Sequence, residues 1–253
     1  MSDTEQSQST HRRPGPAHET PPGILITRVR GYNLFNTVFF GGRRRRLDTA
    51  LAAESGASRG DHVLDIGCGP GRFAGALAER VGPTGQVEGV DASGPMIDYA
   101  SAHAGRTGNC TFHLGTAQSL SLPDASFDVV TSTFVMHHIP EDQREVALGH
   151  MFRVLRPGGR LLIADMHPLD RLRAGAVRAL ARVATHRPGH GHGHGHGHGA
   201  DGETPPDPFA AVDVRRYIDS LHRIGFTGVE FRPVKPSTGC LVAVRPDGLR
   251  RSS

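Results

Sequence analysis

The residues best suited to bind a ligand lie in one turn, between Asp65 and Phe73. Three glycines, Gly67, Gly69 and Gly71, let the backbone bend sharply and let a ligand come close to the main-chain amides. The apolar residues before them predict a buried strand, and the pattern after them predicts a helix whose first N–H groups are unpaired. This turn is therefore predicted to hold a nucleoside-like ligand.

Two acids indicate which nucleoside would fit. A dinucleotide site needs glycine at the sixth position of the turn, where this chain has Arg72. Asp65 stands two residues before the first glycine, where a carboxylate repels a pyrophosphate and attracts an ammonium group. The next predicted strand, residues 86–90, ends in Asp91, which is placed to accept hydrogen bonds from ribose hydroxyls. A nucleoside with a cationic amino-acid tail is S-adenosylmethionine.

Four segments in this order resemble the motifs of class I S-adenosylmethionine-dependent methyltransferases. They are residues 65–71, 89–93, 126–130 and 155–162, and the similarity extends over about residues 59–246. The resemblance implies a Rossmann-like α/β fold. It implies a seven-stranded, mostly parallel sheet with helices on both faces and a C-terminal antiparallel hairpin. The family includes small-molecule enzymes of ubiquinone and menaquinone biosynthesis and uses S-adenosyl-L-methionine as its cofactor.

The resemblance also assigns a cofactor site. A helix that begins at Gly94 and Pro95 would bring Met96 near the adenine, although a methionine at helical spacing is more often only core. Family members often carry Asp where this chain has Thr116, so adenine recognition would fall to the Thr116 hydroxyl or to backbone groups. The predicted cofactor-binding residues are Asp65, Gly67, Cys68, Gly69, Gly71, Asp91, Ala92, Met96, Thr116, Ala117 and Thr133.

Three histidines are candidates for catalysis. His137 and His138 follow the predicted fourth strand (127–133), His167 follows the fifth (160–165), and ligands bind beyond the carboxyl ends of such strands. Because the cofactor is already a strong methyl donor, the protein must mainly hold the acceptor and take up its proton, for which histidine is suited at neutral pH. Strand alternation would turn only one of the pair toward the pocket, and we prefer His137. The alternative for each is a structural, hydrogen-bonded histidine.

Two further side chains belong to this prediction. Asp165 could cap the end of the fifth strand, bind a metal with His167 or orient a histidine, in that order of preference. Residues 24–58 predict a helical cap with several aromatic residues. In the methyltransferases that the chain resembles, such a segment lies over the substrate pocket, so Tyr32 is a fourth catalytic candidate. Packing on the core is the alternative for Tyr32.

The function predicted from these residues is methyl transfer from S-adenosylmethionine to an oxygen or nitrogen atom of a small molecule, with histidine as a general base. One alternative is methylation of a quinone or other ring carbon, which Tyr32, Asn33 and their apolar neighbours motivate. Another is a non-catalytic domain that binds a metal or a partner protein.

A strict alternation of glycine and histidine over residues 189–199 motivates that last alternative. Alternating glycine leaves the backbone too free for regular structure, so we predict a disordered stretch within an insertion at residues 168–211. Neutral imidazoles bind zinc, copper and nickel, but a low-complexity surface loop is preferred to a specific metal site. Weak divalent-metal binding is compatible with either view and would use His190, His192, His194, His196 and His198.

Composition bounds the remaining properties. The chain has 253 residues, a formal charge of +4 and three cysteines without metal-type spacing. Its basic residues are dispersed apart from the run at residues 43–46, so we do not expect a nucleic-acid partner. No apolar run approaches the roughly 18 residues of a membrane span, and we expect a cytoplasmic protein without stable membrane insertion. The predicted organisation is a disordered tail (1–23), a methyltransferase domain (24–246) and a second tail (247–253).

Overall fold

The computed structural model describes residues 43–103, 108–167, 212–235 and 237–247. The expected N-terminal tail, Tyr32, the Gly-His tract and residues 248–253 lie outside the described residues. The helices are α1 (Arg44–Glu54), α2 (Arg72–Val81), α3 (Gly94–Ala102), α4 (Arg144–Val154) and α5 (Ile218–Ile224). The strands are β1 (His62–Ile66), β2 (Gln86–Asp91), β3 (Cys110–Leu114), β4 (Phe127–Thr133), β5 (Leu155–Met166), β6 (Thr227–Val234) and β7 (Thr238–Val244).

The strands form one seven-stranded sheet with the order β3-β2-β1-β4-β5-β7-β6. Strands β1 to β5 pair in parallel, and β7 pairs antiparallel with both β5 and β6. This confirms the predicted mostly parallel sheet and its C-terminal hairpin. The chain runs from β1 outward to β3 and then crosses back to β4. The crevice beyond the carboxyl ends of β1 and β4 is therefore the place where such sheets bind ligands.

The sheet buries apolar side chains on both faces, which explains the continuous hydrophobic runs of its central strands. One face packs against α4 and α5, and the other packs against α1 and α2. Alternate residues serve the two faces: Leu64 belongs to the first cluster, whereas Val63 belongs to the second. Helices on both sides thus fix the strand ends that carry the candidate site. None of the described helices is long and apolar enough to cross a membrane.

The end of α4 differs from the prediction. The sequence pattern predicts a helix over residues 141–155, with Pro157-Gly158-Gly159 as its stop signal. In the structure residues 141–143 form a 3₁₀ turn, α4 ends at Val154, and Leu155 already pairs with Phe127 as part of β5. Regular pairing resumes at Arg160 after a register shift, and Gly158 has a φ of 78°. The Pro-Gly-Gly segment is therefore an irregularity inside the strand.

A distant arginine explains how α4 can end without a glycine cap. Arg245 Nη1 donates to the main-chain oxygens of Phe152 and Arg153, at 3.0 and 2.9 Å, and to that of Leu155 at 2.5 Å. Phe152 and Arg153 belong to the last turn of α4, whose carbonyl groups have no partner within the helix, and the Ala125 and Ser126 amides also donate to the oxygens of Arg153 and Val154. The sequence around residue 155 contains no sign of this contact.

The segment before β6 is also more divided than predicted. The sequence pattern predicts a single helix over residues 212–224 that is closed by Gly225. In the structure a 3₁₀ turn at Val214–Tyr217 precedes α5. Asp213 begins this turn, because its side chain accepts a hydrogen bond from the Arg215 amide at 3.0 Å. The predicted stop at Gly225 is confirmed by its left-handed φ of 113°.

Candidate cofactor and active site

A cavity opens at the crevice that the strand order identifies. Nine of the sequence-predicted site residues line it, from the carboxyl ends of β2 and β4 and from the segments that follow β1, β2, β3 and β4. They are Gly67, Gly69, Asp91, Ala92, Met96, Thr116, Ala117, Thr133 and His138. Parallel strands end at the same edge of the sheet, which is why residues so far apart in sequence meet here.

Two glycines of the turn, Gly67 and Gly71, have different roles. Gly67 (φ 72°) lines the cavity, and a Cβ built on it would lie 2.1 Å from Val135 Cγ2. Gly71 (φ 80°) does not line the cavity, and its Cβ would lie 3.0 Å from Phe112 Cζ. The absence of a side chain at Gly67 thus lets Val135 of the cavity wall pack against the turn, whereas its absence at Gly71 lets the turn pack on β3.

Asp91 ties the turn to the end of β2. Its Oδ2 accepts a hydrogen bond from the Gly69 amide and its Oδ1 accepts one from the Ser93 amide, both at 2.8 Å. Burial raises the pKa of Asp91, and these two donors oppose that rise. A carboxylate has about four lone-pair sites, so Asp91 can hold the turn and still accept from a ligand hydroxyl.

Asp65 is a buried carboxylate with an incomplete set of partners. It is 1% exposed, and its Oδ1 accepts a hydrogen bond from the Thr131 hydroxyl at 2.8 Å. Its Oδ2 is buried and has no hydrogen-bond partner among the described residues. Burial raises the pKa of Asp65 to about 7. Asp65 does not itself line the cavity. Its unpartnered carboxylate oxygen needs a positively charged partner, and an ammonium group would be one.

The side chain of Cys68 does not line the cavity. A Cβ built on Gly89 would lie 2.9 Å from Cys68 Sγ, so the sulfur packs against β2. Burial raises the pKa of the Cys68 thiol, which keeps it protonated and unreactive. Cys68 can contribute only main-chain groups to a ligand in the turn.

The two neighbouring histidines occupy different positions. Met136–His138 form a 3₁₀ turn, so the expectation that strand alternation would turn His137 toward the pocket is wrong. His138 lines the cavity, whereas His137 Nδ1 lies 2.6 Å from Asp165 Oδ2. The two imidazole rings are 4.0 Å apart between centroids. The pair therefore forms one unit with Asp165 behind it.

The surroundings give these groups distinct electrostatic properties. Burial, and then the charge of His137, lower the pKa of His138 to about 4, so His138 is neutral at physiological pH. Its Nδ1 is buried without a partner among the described residues. Asp165 is 2% exposed and also accepts a hydrogen bond from the Met166 amide at 2.8 Å. Asp165 thus caps the strand end and orients a histidine, the role that ranked last in the sequence analysis.

His167, a third catalytic candidate, does not line the cavity. His167 packs edge to face on Phe231 of β6, with ring centroids 5.1 Å apart. Tyr32 lies outside the described residues. Within the described ranges, no group of three or more side chains of the metal-binding types is arranged to hold an ion.

Sequence reasoning missed several residues of the wall, among them Gln118, Phe134, Val135 and Ile139. Phe134 has a φ of 61°, an uncommon conformation for a residue with a side chain. Its amide donates to the Ala164 oxygen at 2.8 Å, and the Arg44 guanidinium lies 4.8 Å from its ring centroid. Its place directly after β4 is the signal that could have identified it.

These groups fit S-adenosylmethionine. The buried, unpartnered oxygen of Asp65 suits its ammonium group, and Asp91 suits its ribose. At Gly67 the ligand faces backbone rather than a side chain. Thr116 and Ala117 follow β3, on the side of Asp91 away from the turn, where the base would lie.

Comparison with known proteins agrees with this geometry. Residues 63–159 match the family described as "Methyltransferase domain". The ubiquinone/menaquinone biosynthesis C-methyltransferase UbiE of Pseudomonas fluorescens is 38% identical over 137 residues, which are 53% of this chain and 53% of that protein. The chain thus spans about half the length of the curated relatives it matches.

Two solved structures share the fold. A S-adenosylmethionine-dependent methyltransferase from Aquifex aeolicus has a TM-score of 0.61 and 20% identity, and covers 84% of this chain and 97% of its own. The [4+2]-cyclase SpnF has a TM-score of 0.58 and 17% identity, and covers 81% of each chain. Because the second is named for another reaction, the fold alone does not fix an activity. Motifs, fold and site geometry together identify residues 63–159 as a class I S-adenosylmethionine-dependent methyltransferase domain, similar in sequence to the ubiquinone and menaquinone group.

Proposed function

We propose that the protein is a S-adenosylmethionine-dependent methyltransferase that acts on an oxygen or nitrogen atom of a small molecule. The observation that carries this proposal is the unit of His138, His137 and Asp165 beside the cofactor cavity. When bound, the cofactor supplies an activated methyl group. The chain's own task is to hold the acceptor, exclude water and take up the proton that the acceptor releases.

We assign the role of proton acceptor to His137, because Asp165 holds its ring in place. A buried carboxylate 2.6 Å from Nδ1 fixes the orientation of the imidazole and leaves Nε2 as the nitrogen that can receive the proton. His138 is a weak base, because burial lowers its pKa to about 4. We assign it the role of a neutral wall residue that hydrogen-bonds and orients the acceptor.

Methylation of a ring carbon is the second candidate, because the curated relative at 38% identity is named a C-methyltransferase. A hydroxylated aromatic ring also releases protons when its carbon is methylated, so the same unit would serve. The two candidates differ in which acceptor atom lies against the methyl group.

The test is an assay with cofactor that carries a ¹³C-labelled methyl group, using panels of hydroxylated, amine and quinone acceptors. Methyl groups on oxygen, nitrogen and ring carbon have separate carbon resonances, so the product spectrum identifies the atom. A labelled ring carbon would replace the first candidate with the second. No labelled product from any panel would contradict both.

Variants test the roles of the histidines. His137→Ala should lower kcat about 10²- to 10⁴-fold, as loss of a general base does, and Asp165→Asn should lower it by less. His138→Ala should act mainly on KM for the acceptor. Cofactor affinity should stay within about twofold in the His137 variant. If kcat is unchanged in His137→Ala and falls in His138→Ala, the assignment is reversed.

A further inference from the structure

Gln118 is a polar residue that the cofactor assignment does not use. It lines the cavity and is 7% exposed. Its Nε2 is buried and has no hydrogen-bond partner among the described residues. A buried amide without a partner is unfavourable, and a ligand that supplies the missing bond recovers the loss.

The strand order determines which part of the ligand Gln118 would meet. Asp91 ends β2, the glycine turn follows β1 on one side, and β3 lies on the other side. Gln118 belongs to the tight turn after β3, in which the Ser119 amide donates to the Thr116 oxygen at 3.2 Å. A nucleoside with its ribose at Asp91 and its amino-acid tail toward Asp65 therefore directs its base toward Gln118.

The carboxamide has the chemistry that an adenine needs. Adenine presents an amino donor next to a ring-nitrogen acceptor, and glutamine can pair with both through one acceptor and one donor. The oxygen and nitrogen of an amide are assigned from their surroundings, so either can face the amino group. Thr116, which also lines the cavity, offers a single hydroxyl.

We propose that Gln118 is the adenine-recognition residue of this chain, with its carboxamide accepting from the amino group of the base and donating to the adjacent ring nitrogen. This inference rests on the proposed function, since it takes S-adenosylmethionine as the ligand. It makes Gln118 a specificity-determining residue that does not touch the reacting atoms.

The experiment is calorimetric titration with S-adenosylhomocysteine and with its analogue that lacks the 6-amino group. Wild type should bind the adenine ligand about tenfold more tightly than the analogue, as a bidentate base contact implies. Gln118→Met, which keeps the size but removes both polar groups, should bind the two ligands within about twofold of each other. This double-mutant comparison isolates the contact between the side chain and the amino group.

Two control variants separate the alternatives. Gln143 also has a buried side-chain oxygen without a described partner but does not line the cavity, so Gln143→Met should keep the tenfold discrimination. If Thr116→Val abolishes the discrimination between the two ligands and Gln118→Met keeps it, the Thr116 hydroxyl recognises the amino group and the inference is overturned.

Folding and ligand binding are checked in the same series. If Gln118→Met does not fold, Gln118→Glu gives an equivalent readout. Its carboxylate still accepts from the amino group but repels the ring nitrogen, so the analogue should lose more affinity than the adenine ligand. Unchanged discrimination in that variant would overturn the inference. Wild type that does not bind S-adenosylhomocysteine would overturn the proposed function, whereas binding without an effect of Gln118 substitution would overturn this inference alone.

Discussion

At the scale of single residues, Asp65 is the group whose environment most demands a ligand. It combines near-complete burial with an oxygen that has no partner among the described residues. Asp48 and Asp91 add negative charge nearby, which raises the pKa of Asp65 further after the larger effect of burial. Arg44, which pairs with Asp48 at 2.8 Å, opposes this rise and is the smallest of these effects, so a bound ammonium group would add counter-charge at the Asp65 oxygen itself.

This predicts a pH-dependent affinity. The pKa of Asp65 is about 7, so below pH 7 a proton competes with the cofactor's ammonium group for the carboxylate. Affinity for S-adenosylhomocysteine should fall about tenfold for each pH unit below 7 and level off above it. Calorimetry between pH 5.5 and 7.5 measures this slope. Because the pKa of Asp91 is also raised, the assignment requires Asp65→Asn, in which the slope should disappear along with much of the affinity.

The same shift has a consequence for stability without ligand. A carboxyl whose pKa is higher in the folded than in the unfolded state stabilises the fold fully below its unfolded pKa of 3.8, and this contribution is lost as pH rises through 7. Asp65→Asn should therefore raise the melting temperature more at pH 8 than at pH 5. An equal change at the two pH values would contradict a raised pKa for Asp65.

Among the elements, the glycine turn after β1 has to let the turn after β4 approach it closely. A methyl group at residue 67 would meet Val135 at 2.1 Å in a backbone conformation that alanine rarely adopts. Phe134, the residue before Val135, is itself held at a positive φ. The turn after β1 and the turn after β4 are thus fitted to each other.

This predicts opposite outcomes for two substitutions in adjacent elements. Gly67→Ala should lower the free energy of unfolding by more than about 2 kcal/mol and strongly weaken S-adenosylhomocysteine binding, through the clash and the positive φ. Gly75 lies within α2, and a Cβ there meets nothing within 4 Å. Gly75→Ala should instead raise the free energy of unfolding by about 0.5 to 1 kcal/mol with unchanged binding. Chemical denaturation with calorimetry checks both, and a harmless Gly67→Ala would contradict the described turn.

The elements also show what the sequence could and could not predict. Local patterns were sufficient for the strand, turn and helix at residues 62–81 and for the stop at Gly225, because apolar periodicity and glycine act over a few residues. They were insufficient at Val154, where Arg245 from beyond β7 supplies the cap. They also failed at His137, because a 3₁₀ turn replaces the strand that the alternation argument assumed.

More of the predicted cofactor residues than of the predicted catalytic residues line the cavity, for a similar reason. Asp91 ends β2, Met96 lies at the start of the helix that follows it, and Thr116 lies just after β3, so the topology brings them to the cavity. Gln118 lies further along the turn after β3, and its position depends on the shape of that turn and on the packing around it. The His137–Asp165 contact joins residues 28 positions apart and has no local signal.

At the scale of the whole molecule, the described residues build the cavity without the Gly-His tract. Among the described residues, all those on the cavity wall belong to the segment between Ile66 and Ile139. We therefore expect that cofactor binding does not depend on the tract.

This predicts that deletion of residues 189–199 leaves S-adenosylhomocysteine affinity within about twofold of wild type. Methyl transfer should also survive, while binding of zinc, copper or nickel should be lost. A variant in which serine replaces the five histidines of the tract controls for chain length. If deletion abolishes methyl transfer and the serine variant does the same, the tract takes part in catalysis.

The cavity should bind S-adenosylmethionine through Asp91 and the glycine turn. Calorimetric titration of the full-length, metal-stripped protein with S-adenosylmethionine and S-adenosylhomocysteine, beside Asp91→Ala, tests it most directly. We predict one site for each ligand in the wild type and affinity at least about tenfold weaker in the variant, because both the ligand contact and the support of Gly69 are lost. No binding by the wild type, or equal binding by Asp91→Ala, would contradict the claim.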